Sequence, residues 1–566
     1  MDSSATDLDD ADVKHLAEAQ APAAGSLIVT AGSEEPPRAK AVGPTAASAS
    51  IAAAAAAAAA AAPDPEDRRV PGRAFITAAM LLVMVLVSME QTITSTAMPS
   101  IIGELHGLEH YSWVASIYLL ACTVTMPLYG RLADAFGRKR VVLAAIALFC
   151  VASLLASTAR SMTQLIVFRG LQGLGAGGVM PVVLTILGDI FTLRERARIQ
   201  GFFSAVWGTS ALAGPALGAL LVKTLGWRSV FWVNLPIGLL GLLVLALKYH
   251  ERRDEHEMDL DLPGVASLGI ASIALLSLVS RLGPGGWSWP MIALLVAATV
   301  ASVAYFARHE RGAAHPILPT ELFTRRDVGP AILGSCLFGI GFLSLDTFVP
   351  LYVQGGRGGD ATAAAGVVTP VMLTWALSGT VAAPLLVRWG FRRTAALGGM
   401  LIVAGFGGLV ACALLAAPHW AITATLAVTG LGFGPASMSF LISAQEAATY
   451  SQRGMVTSAI SFFRTMGGAV GIGILGAMFN VVTAAQSTRL TDLGVRPAEL
   501  LDPHAQSRIA PNLLRDAQHM IASGLTWVFV AMLTAAVLLL AVTRLMPKGK
   551  TAPRAAAPEQ LDAVGA

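Results

Sequence analysis

Glu90 stands inside the apolar run 74–98, in Ser88-Met89-Glu90-Gln91-Thr92-Ile93-Thr94. An ionisable group in such a run is costly, so it needs a partner or a task. Burial disfavours the charged form of a carboxyl. A carboxyl that can take up and release a proton there is suited to a conformational cycle. The plainer alternative is a structural acid bonded to its polar neighbours. Arg169, in Phe168-Arg169-Gly170-Leu171-Gln172-Gly173-Leu174-Gly175, is a matching base. An arginine does not lose its proton there and must find acceptors. Glu90 and backbone carbonyls are candidates. Arg169 then serves as a fixed clamp, as a switchable charge that helps proton release, or as both. Asp346, in Ser344-Leu345-Asp346-Thr347-Phe348-Val349-Pro350, could attract a cationic substrate, titrate as a second site, or lie near the outer interface. Gln91, Thr94 and Asp346 are candidate substrate-cavity residues. Arg464 opens a glycine-rich run and is read as an interfacial arginine whose stem snorkels to water.

A second constellation is the turn Gly130-Arg131-Leu132-Ala133-Asp134-Ala135-Phe136-Gly137-Arg138-Lys139-Arg140. Four of its eleven residues are basic, in a chain that is only 13% charged. A third is Gly214-Pro215-Ala216-Leu217-Gly218. Its proline removes a backbone donor and its glycines allow a bend, so it reads as a hinge or a static kink. No Gly-x-x-x-x-Gly-Lys-Ser/Thr loop is present to hold ATP. Neither a His-Glu-x-x-His pair nor a nucleophile arrangement occurs, so enzyme readings are set aside. Any energy should come from an ion gradient, with no cofactor and no metal. Cys122, Cys150, Cys336 and Cys412 lie in separate apolar runs and read as packing residues.

What must position these residues is a set of membrane spans. The chain has 566 residues, 55% of them hydrophobic, with mean hydropathy +0.66. Soluble domains carry about twice as much charge. The composition is that of an all-α polytopic membrane protein. With about 20 apolar residues per span, fourteen spans are expected: 74–98, 111–130, 139–158, 163–188, 198–222, 228–248, 261–281, 289–307, 329–353, 363–387, 394–416, 420–445, 454–481 and 520–545. They divide into a six-helix half over 74–248, two extra central helices over 261–307, and a second six-helix half over 329–545 with an external loop 482–519. Residues 1–70 hold eleven Asp/Glu, five Lys/Arg and an alanine tract. They read, like 546–566, as a disordered cytoplasmic tail.

Charge supports this topology. With both termini inside, the inward loops and C-terminal tail carry 25 Lys/Arg and the short outward loops carry five. That is the bias expected of cytoplasmic loops. Two halves around an inserted pair is a repeat layout. A worn copy of the basic turn recurs at Ala383–Arg393, where Gly390 and the basic pair Arg392-Arg393 survive. Val387 replaces the aspartate. The net charge of +4 gives no reason to expect a nucleic-acid partner.

These residues resemble the major facilitator superfamily. Gly130–Arg140 resembles its signature between spans two and three, and Phe168–Gly175 its fourth-span arginine motif. Gly214-Pro215 resembles the fifth-span motif of proton antiporters, with Ser210 standing where a glycine is usual. Fourteen spans, Trp113 and Tyr118, Trp227–Gly238 and Glu321-Leu322-Phe323 narrow the likeness to drug:proton antiporters of the EmrB/QacA type. The resemblance runs from about residue 74 to 545. It implies a major facilitator fold. It also implies that Glu90 replaces the usual first-span Asp, and that Asp134 meets the cytoplasmic end of a second-half helix. Arg138 would pair with an acid at the end of span four, for which Asp189 is the candidate. Gly130, Asp134, Gly137, Arg138 and Asp189 would then form a latch holding the outward-open state.

The expected function is proton-coupled export of amphipathic small molecules across the inner membrane. Proton entry would neutralise Glu90, weaken its contact with Arg169 and favour the inward-facing state. Expected partners are the bilayer and the cargo, with a periplasmic adaptor and outer-membrane channel as further candidates. Three alternatives remain at this stage: a dedicated exporter of a self-made toxin or antibiotic, a proton-coupled uptake symporter, and a non-transporting sensor or scaffold.

Overall fold

The computed structural model describes residues 72–105, 111–191, 193–251, 261–280, 288–313, 316–359, 361–492 and 510–548. The tails 1–70 and 549–566 lie outside the described residues, as does 493–509 of the expected external loop. The side chains of Gln91 and Pro215 also fall outside.

Apolar sequence in a bilayer must satisfy its backbone internally, which leaves helices as the local solution. The long helices, in order, are α1 (Arg73–Leu105), α2 (Tyr111–Phe136), α3 (Arg138–Ser157), α4 (Met162–Ile190), α5 (Leu193–Leu225), α6 (Asn234–Lys248) and α7 (Leu262–Ser280). They continue as α8 (Trp289–His309), α9 (Gly329–Leu351), α10 (Ala361–Trp389), α11 (Phe391–Leu414), α12 (His419–Ala447), α13 (Arg453–Asp492) and α14 (Pro511–Thr543). Among the described residues, twelve helices are long and apolar enough to cross a membrane. The expected count was fourteen. Helix α7 contributes only a shorter apolar stretch, Pro263–Val279, and α5 does not figure among the twelve. The flanks of loop 482–519 are helical, because α13 runs on to Asp492 and α14 starts at Pro511.

Helices α1–α6 pack largely among themselves. Helix α4 lies against α2 and α3, and α1 against α5 and α6. In α9–α14 the pattern returns, with α12 against α10 and α11, and α9 against α13 and α14. The two groups meet chiefly where α2 crosses α13 and α5 crosses α10. Helices α7 and α8 pair with each other, and α7 also touches α2 and α13. Burial ranks them accordingly: the apolar core of α4 is 83% buried and that of α12 72%, against 6% for α8. Helix α8 therefore presents most of its surface to lipid.

The sequence reason is a pair of glycine triplets. Residues two apart on a helix point to nearly opposite faces, and residues four apart share a face. In α4, a Cβ at Gly173 or Gly177 would strike the α2 backbone at Tyr118 or Cys122, and one at Gly175 would strike Phe149 of α3. In α12, Gly430 and Gly434 lie against Val371 and Ser378 of α10, and Gly432 against Ile402 of α11. Small residues let helix backbones approach closely in a membrane. The triplets place α4 and α12 between two neighbours each. The worn turn also keeps its geometry: Gly137 (φ 91°) precedes α3 and Gly390 (φ 81°) precedes α11. A side chain at either would be strained.

Candidate functional site

The first site is a buried polar network within α1–α6. Glu90, midway along α1, is 1% exposed. Its Oε1 accepts from Arg169 Nη1 at 2.6 Å and from Thr94 Oγ1 at 3.0 Å. Its Oε2 accepts from Asn234 Nδ2 on α6. Arg169 Nη1 also donates to Gln172 Oε1 at 2.5 Å, and its Nε to the Val114 carbonyl at 3.3 Å. The guanidinium stacks over Tyr118, 4.2 Å from the ring centroid. Gln172 Nε2 donates to Ser153 Oγ at 2.6 Å, and Asn234 Nδ2 donates to the same oxygen at 3.2 Å. Residues of α1, α2, α3, α4 and α6 thus share one pair of charges. Buried ion pairs are tolerated when such extra bonds satisfy both partners. Thr94, expected in a substrate cavity, instead belongs to this network.

Asn234, Gln172 and Ser153 were missed from the sequence as site residues. A lone Asn between apolar runs was the available signal, because buried amides need partners.

The opposite side of α1 looks onto a second feature. A cavity of about 200 Å³ lies between the two helix groups. Val87, Ser88 and Thr92 line it from α1, and Phe338, Phe342, Asp346, Trp375 and Arg464 line it from the second group. Asp346 is exposed into this space. Arg464 requires a correction. Its sequence context suggests an interfacial, snorkelling arginine, yet it stands eleven residues into α13, about 16 Å by helical rise, and lines the cavity. Its Nη2 donates to Met180 Sδ of α4 at 3.5 Å.

Helix α5 runs unbroken through Gly214–Gly218. Gly214 lies against Thr92 and Gly218 against Ile93 and Thr96, so these glycines seat α5 on the turn of α1 next to Glu90. Close packing is what the geometry displays at the expected hinge.

The third feature is the end of the bundle bearing the basic turn. Asp134 receives two backbone amides of the other group: Gly454 N at 3.0 Å and Met455 N at 2.8 Å, the first turn of α13. Those amides have no intrahelical acceptor, and a carboxylate suits the positive helix end. Arg138 Nε lies 2.7 Å from Asp189 Oδ2. Arg453, from α13, lies 3.2 Å from Asp189 Oδ1 and donates to the Gly188 carbonyl. Arg196 pairs with Glu446 at 2.9 Å, and Gln445 Nε2 donates to the Leu184 carbonyl at 3.3 Å. Glu251 accepts from the amides of Arg138 and Lys139 at 2.8 and 2.9 Å, capping α3. Glu251, Arg453 and Glu446 carry no recognisable motif in the sequence. Helix ends far apart in the chain bring them here.

Gly130 makes the approach possible. A Cβ there would strike the Ser458 side chain and the Gly454 carbonyl. Gly130→Ala is expected to wedge this face by about 1–3 kcal/mol, the usual range for overpacking. Turnover should fall while the thermal midpoint of the purified protein changes little. Unchanged turnover in reconstituted vesicles would show that the close contact is dispensable.

Residues 80–472 match the Major Facilitator Superfamily. The chain belongs to that family. It is therefore a membrane transporter and not an enzyme. Among its relatives, a multidrug transporter protein of Bacillus subtilis, MdtP, is 33% identical over 437 residues, covering 77% of this chain and 80% of that one. Multidrug resistance protein 3 of the same organism is 30% identical over 500 residues, covering 84% and 95%. Among solved structures, the human organic anion transporter MFSD10 superposes with TM-score 0.55 at 14% identity, covering 82% of this chain and 99% of that one. At that identity the likeness concerns the superfamily fold alone.

Proposed function

We propose that this transporter exports amphipathic small molecules across the inner membrane in exchange for protons. The observation that carries the reading is the Glu90 carboxylate, held by Arg169 and Asn234 one helix face away from the central cavity. Val87, Ser88 and Thr92 form cavity wall on the same helix. A proton on Glu90 weakens its hold on Arg169, and α1 transmits the change to the wall. The multidrug names of the two Bacillus relatives support the cargo class.

In this reading all fourteen long helices cross the membrane, α5 and α7 included, with both termini inside. The 25 inward Lys/Arg, against five in the short outward loops, support that orientation. The basic turn is then cytoplasmic, and the bonds around Asp134 and Asp189 close the cytoplasmic side. That closure supports reading the state described as the outward-facing one. Protonation of Glu90 favours release of those bonds, cargo enters from inside, and proton loss to the cytoplasm resets the cycle.

Proteoliposomes test this with an imposed pH gradient and two fluorescent amphiphiles, one cationic and one zwitterionic. Concentrative transport should appear with the gradient and collapse when an uncoupler removes it. Transport indifferent to the gradient would overturn the proton-coupled reading.

A further inference from the structure

Two charges of opposite sign line the central cavity without joining each other. Asp346 stands on α9 and Arg464 on α13. Among the described residues, no hydrogen bond or ion pair reaches the Asp346 carboxylate, and Arg464 finds only the Met180 sulfur, a weak acceptor. A guanidinium this deep in a bilayer normally finds oxygen acceptors. Gly339 of α9 packs against the Arg464 carbonyl. Asp346 lies seven residues further along α9, about 10 Å by helical rise. The two charges are therefore poles at different depths. Aromatic surface accompanies them: Phe342 stacks edge-on with Trp375 at 4.9 Å and lies 5.9 Å from Phe338. Met84, Met126, Met180 and Met372 add to the wall side chains that adapt to irregular shapes.

We propose that this cavity selects zwitterionic amphiphiles. The cationic group of the cargo lies at Asp346, its anionic group at Arg464, and its flat apolar body against Phe342 and Trp375. The proposal rests on the export reading only in taking this cavity as the cargo site. A cavity with a lone acid would favour cations. The added guanidinium removes the cost of a carboxylate on the cargo and supplies up to two parallel donors to it. A cargo lacking either charge leaves one pole desolvated and unpaired, which is how polar sites reject analogues.

The test uses the full chain in nanodiscs and reads equilibrium binding, which needs no proton gradient. Three probes share one aromatic body: ciprofloxacin as zwitterion, its methyl ester as cation, and its N-acetyl derivative as anion. The wild type should bind the zwitterion at least about tenfold more tightly than either single-charge probe, the scale of one unmatched charge contact. Arg464→Gln should lower zwitterion affinity to that of the ester, with ester affinity moving less than about twofold. Asp346→Asn should do the same relative to the N-acetyl probe. Arg464→Lys, which keeps the charge, should retain discrimination against the ester. The proposal is overturned if the wild type shows no preference, or if the single variants weaken all three probes alike. The latter outcome would mean the two residues serve each other in another conformation. Zwitterion preference without gradient-driven transport would refute proton coupling and leave the cavity assignment standing.

Discussion

Glu90→Gln is expected to abolish gradient-driven accumulation while leaving cargo exchange across the membrane in place. Gln carries the shape of a protonated Glu90 and cannot give up the proton. It still offers one carbonyl oxygen to Thr94, Arg169 or Asn234, which now bond both carboxylate oxygens. The Arg169 charge loses its counter-charge in a site where it is 1% exposed. Removing one partner of a buried pair costs about 3–5 kcal/mol, and the surviving amide bonds should recover part of this. A lower thermal midpoint is therefore expected beside the loss of coupling. Counterflow in vesicles without a gradient separates the two effects. If the purified variant still drives full proton-dependent efflux, Glu90 is a structural acid and the coupling group lies elsewhere.

The second large effect is expected at Asp134. Both of its oxygens are engaged by the first amides of α13, and Arg138 Nη2 stands 3.6 Å away. Asn keeps one acceptor, loses the charge that suits a helix N-terminus, and turns an NH2 towards backbone donors. A hydrogen bond to a charged group contributes about 1.5–3 kcal/mol. Asp134→Asn should thus shift the closed-to-open balance of this face by about 10- to 150-fold. Turnover is expected to fall by at least about tenfold, and the cargo dissociation constant to change by less than about threefold. The reason is distance: Asp134 is two turns beyond Met126, the last α2 residue lining the cavity. Equal turnover in the variant and the wild type would remove the latch from the mechanism.

The long helices were legible because a bilayer leaves little else for an apolar chain to do, and because charge marks their ends. Their edges were less so. Helix α13 extends eleven residues past the expected limit of 481, since amphipathic sequence can continue a helix beyond the lipid. Glu90, Arg169 and Asp346 stood out as charges in apolar surroundings. Asn234 did not, because an amide carries no charge to notice and its partners, Glu90 and Ser153, come from two other helices. Arg464 was noticed but placed at the wrong depth. Sequence distance from a span's edge says little about which way a long side chain points, and here it points inward, towards Met180. Glu251 and Arg453 depended wholly on the meeting of helix ends. The glycine triplets lay in plain view, but their alternation between neighbours appears only when α2, α3, α10 and α11 are in place.

Those triplets limit how the molecule can move. A helix pinned on opposite faces by backbone-to-backbone contact cannot slide past either neighbour without carrying its own glycines into a side chain. Helices α2, α3 and α4 therefore form one block, and α10, α11 and α12 another, each with few internal degrees of freedom. Displacement is left to the α2–α13 and α5–α10 crossings, where a small rotation of one block tips the whole bundle. Rigidity inside the blocks thus lets a local change at one end of the bundle arrive undissipated at the other.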